Sequence, residues 1–180
     1  MFEKILGKNR KFTNLANIIT LLRLFLIPIF LYVLIYLNDY FLSFIIFSFA
    51  SITDKVDGVI ARKYDMITDF GKFLDPIVDK MLVISAFVSF IELNIISSIP
   101  VLIIIFREIS ITGFRAIAAS NNVVISASNL GKYKTVSQII TILFILILPE
   151  SIYVNYLVYL VVILTIVSGV DYILKNKNLF

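Results

Sequence analysis

Neither cysteine nor histidine occurs among the 180 residues. Without cysteine there can be no disulfide and no thiolate metal site. Without histidine the commonest general base and the usual zinc ligand are gone, so acid–base work falls to carboxylates, lysines or tyrosines. No stretch alternates apolar and polar residues over some ten positions, which argues against a membrane β-barrel. There is no internal repeat and no low-complexity linker. The net charge of +4 is modest. It suits contact with anionic lipid or an anionic substrate, and no nucleic-acid partner is expected.

What the chain has in abundance is apolar surface. Hydrophobic residues make up 60% of it and the mean hydropathy is +1.01, where a soluble domain carries roughly 45–50% apolar residues. A soluble fold could not cover that much apolar surface. The expected class is an all-α integral membrane protein, a single membrane-embedded domain over residues 1–180. Its length suits about six crossings of roughly 20 residues each.

Six apolar stretches can be marked, near residues 15–37, 41–64, 71–93, 99–119, 128–148 and 153–174. Thr13 or Asn14 is placed to cap the first, and Pro28 to kink it. Residues 1–13 are short, basic and partly apolar, and show no cleavage site of small residues. They read as an interfacial amphipathic segment leading into a retained first helix. Lysine and arginine gather at alternate helix ends: Lys4, Lys8, Arg10 and Lys11, then Arg62, Lys63 and Lys72, then Lys132 and Lys134, then Lys175 and Lys177. The opposite ends hold Asn38, Asp39, Glu92, Asn94, Glu150 and Asn155. Both termini are therefore expected in the cytoplasm. Tyrosine and phenylalanine near the ends read as an interfacial belt and as lipid contact.

Against this background stands the segment DKVDGVIARKYDMITDFGKFLDPIVD, from Asp54 to Asp79. On a helix, Asp54 and Asp57 share a face with Gly58 and Ala61, and Asp75 and Asp79 lie one turn apart on the next helix. A carboxylate in a bilayer costs roughly 2.5–3.5 kcal/mol even on insertion scales. Four that converge cannot all stay ionised without positive charge between them, and hard oxygen donors suit magnesium, manganese or calcium. The bland alternative is a set of helix-end charges reaching for water. Gly58, Ala61 and Gly71 permit close helix approach, close ligand approach, or both.

The pattern Asp54-x2-Asp57-Gly58-x2-Ala61-Arg62-x8-Gly71-x3-Asp75-x3-Asp79 resembles, at every position, the signature of the CDP-alcohol phosphotransferase family. These are membrane enzymes that make phospholipids from a CDP-activated donor. The resemblance implies two divalent ions, Mg2+ or Mn2+, held by Asp54, Asp57, Asp75 and Asp79, with Asp79 also the general base on the acceptor hydroxyl. It implies that Gly58, Ala61, Arg62 and Gly71 bind the donor, with Arg62 on a phosphate oxygen unless it is a plain interfacial charge. It implies a homodimer, and the lysine and arginine distribution puts the motif, like both termini, on the cytoplasmic side of the cell membrane.

A second polar set lies further on. Glu108, Thr112 and Arg115 follow i, i+4, i+7 and share a stripe, with Arg107 beside it. Lys132 and Thr135 share one face of the fifth stretch, and Lys134 and Gln138 a neighbouring one. If Glu108 merely neutralised Arg115, then Arg107, Lys132 and Lys134 would remain without carboxylate partners. The set is therefore expected to be a cationic pocket, with Arg107, Arg115, Lys132 and Lys134 holding a phosphorylated acceptor. Together with GKYKTVSQ from Gly131 to Gln138, it resembles the branch of the family that uses CDP-diacylglycerol and glycerol 3-phosphate. The rivals are a cardiolipin-forming member with phosphatidylglycerol as acceptor, a member with an inositol-phosphate acceptor, and a divalent-cation carrier. Asn17, Thr20 and Arg23 put polar groups on the first helix, either bordering the site or bonding between helices.

Overall fold

The structure is a computed structural model. It describes the backbone of residues 15–63, 69–120 and 128–176, and the side chains of residues 19–53, 77–118 and 128–176. All regular structure among the described residues is helical: α1 (Leu15–Leu31), a π turn (Tyr32–Tyr36), α2 (Tyr40–Lys63), α3 (Asp69–Glu92), α4 (Ser98–Ser120), α5 (Asn129–Ile147) and α6 (Tyr153–Lys175). The ends that fall inside the described residues lie within two residues of the apolar stretches marked from sequence.

Local chemistry explains where these helices stop. α1 runs through Pro28 and passes into a π turn closed by the Leu37 amide donating to the Tyr32 carbonyl at 3.3 Å. Asn38 then takes a left-handed conformation with φ 52°, and Asp39 opens α2 by accepting from the Leu42 amide at 2.9 Å. α3 ends in a Schellman arrangement. The Ile95 amide donates to the Phe90 carbonyl, the Asn94 amide donates to the Ile91 carbonyl, and Asn94 sits at φ 57° where glycine is more usual. At the start of α5, Ser128 Oγ accepts from the Gly131 amide at 3.1 Å.

Contacts divide the chain into two compact units, Met1–Ser85 and Ala86–Phe180. In the first, α1 packs on α2 around Ile27, Phe30, Leu34, Phe47 and Ala50, with the rings of Phe30 and Phe47 5.8 Å apart. In the second, α6 packs against both α4 and α5. Val101, Ile104, Ile111, Ile142, Ile145, Val158 and Val161 form its core.

Polarity in both units is inverted relative to a soluble protein. Arg23, Glu108, Lys134, Gln138, Thr141 and Thr165 are buried, while Phe25, Phe41, Phe106, Ile109, Ile152 and Ile163 are more than half exposed. Such a surface is stable only against hydrocarbon. Among the described residues, three helical segments are long and apolar enough to cross a bilayer: Ile19–Tyr36, Asn129–Ile147 and Tyr153–Lys175. α4 falls short of that description because Arg107, Glu108 and Arg115 interrupt it, and the apolar part of α2 is the shorter Tyr40–Thr53. The surface is that of a helical membrane protein, with Arg23, Glu108 and Lys134 turned inward.

Candidate active site

The backbone carrying the aspartate signature is helical on both sides of residues 64–68. α2 places positions 54, 57, 58 and 61 on one stripe, and α3 does the same for 71, 75 and 79. The side chains of Asp54, Asp57, Ala61, Arg62 and Asp75, and the surroundings of Gly58 and Gly71, lie outside the described residues. Asp79 lies within them. Its Oδ1 accepts a charged hydrogen bond from Arg23 Nη1 of α1. The Arg23 side chain is 1% exposed and that of Asp79 is 39% exposed.

Among the described residues no group of three or more acidic side chains stands together, so only the chemistry of the donor set bears on a cation site. The signature offers only carboxylate oxygens as donors, and Asp79 is partly open. Carboxylate oxygens of this kind suit hard divalent ions.

In the second unit Glu108 is the centre of a charge cluster. Its Oε1 accepts from Lys134 Nζ of α5 and, at 3.4 Å, from Arg107 Nη1. Lys134 is 3% exposed and Glu108 7%, so the attraction is little screened by water. Thr112 Oγ1 donates to the Glu108 carbonyl at 2.6 Å. Two glycines lie against Arg107. A methyl group at Gly169 of α6 would stand 3.4 Å from Arg107 Cγ, and one at Gly131 of α5 would stand 4.0 Å from its Nη2. The Arg107 side chain thus lies across α6 with its guanidinium beside the capped start of α5. Its buried Nε has no hydrogen-bond partner among the described residues, and the same holds for Gln138 Nε2 and Thr165 Oγ1.

Arg115 goes elsewhere. Its Nε donates to the Tyr172 hydroxyl at 3.3 Å, and its guanidinium lies 5.5 Å from that ring's centre. Tyr172 is buried and Arg115 exposed. Lys132 is exposed on the outer face of α5, next to the buried Lys134 and Gln138 face, as their spacing predicts.

The alternative in which Glu108 neutralises Arg115 is not the pairing found: Glu108 pairs with Arg107 and Lys134 instead. The reason is distance along the helix: seven residues is a rise of about 10 Å, whereas Lys134 reaches Glu108 directly from the adjacent helix. Two contributors escape a reading of the sequence. Arg23 stands out there only as a polar group on the first helix, although a charge inside an apolar span is itself the signal that finds it. Tyr172 merges into the interfacial belt, and nothing in its spacing separates it from the other tyrosines.

Comparison with known proteins bears on the whole chain. The sequence pattern of the CDP-alcohol phosphatidyltransferase family matches residues 13–167. The chain is 37% identical over 183 aligned positions to the CDP-diacylglycerol–glycerol-3-phosphate 3-phosphatidyltransferase of Bacillus subtilis (strain 168), covering 91% of this chain and 95% of that protein. It is 34% identical to the protein of the same name from Rickettsia typhi (strain ATCC VR-144 / Wilmington), covering 93% and 99%. A third of that name, from Wigglesworthia glossinidia brevipalpis, is 38% identical, covering 86% and 84%. The family match extends well past the aspartate signature, through α4 and α5 and most of α6. The chain is an enzyme of the CDP-alcohol phosphatidyltransferase family.

Proposed function

We propose that this enzyme transfers the phosphatidyl group of CDP-diacylglycerol to glycerol 3-phosphate, giving phosphatidylglycerophosphate and CMP. The observation that carries the reading is the complete aspartate signature on α2 and α3, in a chain whose relatives bear that activity in their names. An acceptor hydroxyl oxygen bonds to the phosphorus that carries the diacylglycerol. The anhydride bond to the CMP phosphate breaks, CMP leaves with that electron pair, and the hydroxyl proton goes to Asp79.

Asp54, Asp57, Asp75 and Asp79 would hold two divalent ions, magnesium or manganese, which when bound supply the charge that grips the diphosphate and offsets charge building on CMP. Gly58, Ala61 and Gly71 leave space for the donor's nucleotide end, and Arg62 takes a phosphate oxygen. The acceptor phosphate is assigned to Arg107, Arg115, Lys132 and Lys134. Glu108 supports this assignment by holding Arg107 and Lys134 in place while leaving the cluster cationic. The lysine and arginine distribution supports six crossings of the cell membrane, with both termini and the site facing the cytoplasm. A single catalytic domain acting as a homodimer completes the proposal.

The test uses the aspartates. Excess chelator should abolish CMP release, and magnesium or manganese should restore it. Asp79→Asn should stop turnover while CDP-diacylglycerol still binds, whereas Asp54→Asn should weaken metal and donor binding together. Full activity in excess chelator would end the two-ion reading.

A further inference from the structure

Arg23 has no part in the scheme above, yet it is the most deeply buried charge among the described residues. It lies inside the apolar Ile19–Tyr36 span, and a guanidinium stays charged under all cellular conditions. Stability alone is a poor reason to keep it, because buried ion pairs can often be replaced by apolar residues without loss. An arginine on this face of α1 needs another explanation.

Its partner supplies one. Arg23 Nη1 reaches Asp79 Oδ1 from α1, across the interior of the first unit. The guanidinium is enclosed while the carboxylate keeps 39% of its side-chain surface exposed. One guanidinium N–H therefore holds Asp79 from the protein side, and the carboxylate keeps surface that a ligand can reach. We infer that Arg23 is the positioning residue for Asp79, fixing the orientation in which the carboxylate meets the acceptor hydroxyl. The inference rests on the base role proposed for Asp79.

The physical argument is geometric. A free aspartate samples several rotamers, and a misplacement of about 1 Å at a reacting group can cost on the order of a hundredfold in rate. A charge-assisted hydrogen bond from a rigid donor removes that freedom. Lysine would bring the charge without the planar geometry. Arg23 thus affects the rate through Asp79 and touches no substrate itself.

The experiment compares Arg23→Met, Arg23→Lys, Asp79→Glu and the double variant Arg23→Met/Asp79→Glu, each checked for wild-type elution from a sizing column. Arg23→Met should lower kcat by about ten- to a hundredfold, with KM for both substrates within about threefold of wild type. Arg23→Lys should fall between. Asp79→Glu moves the carboxylate by one methylene, so removing Arg23 in that background should cost far less than in wild type. Thermal unfolding with manganese alone should still show metal-dependent stabilisation in Arg23→Met, as expected if the carboxylates remain able to bind it. Wild-type kcat in Arg23→Met, or losses that simply multiply in the double variant, would overturn the inference. So would an Arg23→Met protein that does not fold beside an Arg23→Lys protein with wild-type kcat. If instead Asp79→Asn turns over normally, the base role itself is what fails.

Discussion

Lys134 of α5 and Glu108 of α4 form an ion pair in which the side chains are 3% and 7% exposed. Neither charge could stand alone at that depth. The pair ties two helices of the second unit together and brings Arg107 in through the same carboxylate oxygen. A cluster of one carboxylate and two cations remains positive, as a site for a phosphorylated acceptor requires.

Removing the shared carboxylate should therefore damage stability first. Glu108→Ala leaves the Lys134 ammonium without that counter-ion, a change that costs about 3–5 kcal/mol in comparable buried pairs. The double variant Glu108→Leu/Lys134→Met should recover most of the loss, since apolar replacement of a buried pair is often neutral. Thermal unfolding in detergent checks both, with coupling between the two sites as the expected outcome.

The acceptor assignment predicts a selective kinetic effect. Charge-assisted contacts contribute about 1.5–3 kcal/mol each, so Arg107→Gln, Arg115→Gln or Lys132→Gln should cost roughly ten- to a hundredfold in handling glycerol 3-phosphate. CDP-diacylglycerol binding should change little. Tyr172→Phe keeps the ring under Arg115 and removes only the hydroxyl that Arg115 Nε reaches at 3.3 Å. At about 0.5–1.5 kcal/mol it should cost only about two- to tenfold. Normal use of glycerol 3-phosphate by all three charge variants would make the cluster purely structural.

Gly169 offers an independent route to Arg107. A methyl group there would sit 3.4 Å from Arg107 Cγ, so Gly169→Ala should be tolerated. Gly169→Leu has to push the Arg107 side chain off α6, and overpacking of this kind is disruptive. It should reproduce the Arg107→Gln defect toward glycerol 3-phosphate while leaving donor binding intact. Steady-state kinetics on the two glycine variants separates the cases.

Much of this architecture is legible in the amino-acid sequence. The helix boundaries follow from where apolar runs meet Asn38–Asp39, Leu93–Asn94 and Pro149–Glu150, because those residues end helices for local reasons. The aspartate signature is local as well: its spacing within α2 and α3 is enough to put like residues on one face. The pairing of charges is not legible. Glu108 and Arg115 share a stripe, but Lys134 comes across from another helix and takes the carboxylate, which no spacing along α4 could disclose. Arg23 and Asp79 are 56 residues apart, and only the packed unit brings them together. Gly131 and Gly169 likewise look like ordinary helix glycines until Arg107 is seen to lie between them.

The central claim is the reaction itself, and CMP release measures it most directly. Purified protein in lipid–detergent micelles is supplied with CDP-diacylglycerol, magnesium or manganese, and in separate tubes glycerol 3-phosphate, phosphatidylglycerol, inositol phosphate or water. The account predicts rapid CMP release with glycerol 3-phosphate, formation of phosphatidylglycerophosphate in equal amount, and near-blank rates in the other tubes. Release at the water rate with glycerol 3-phosphate, beside rapid release with phosphatidylglycerol or inositol phosphate, would contradict it.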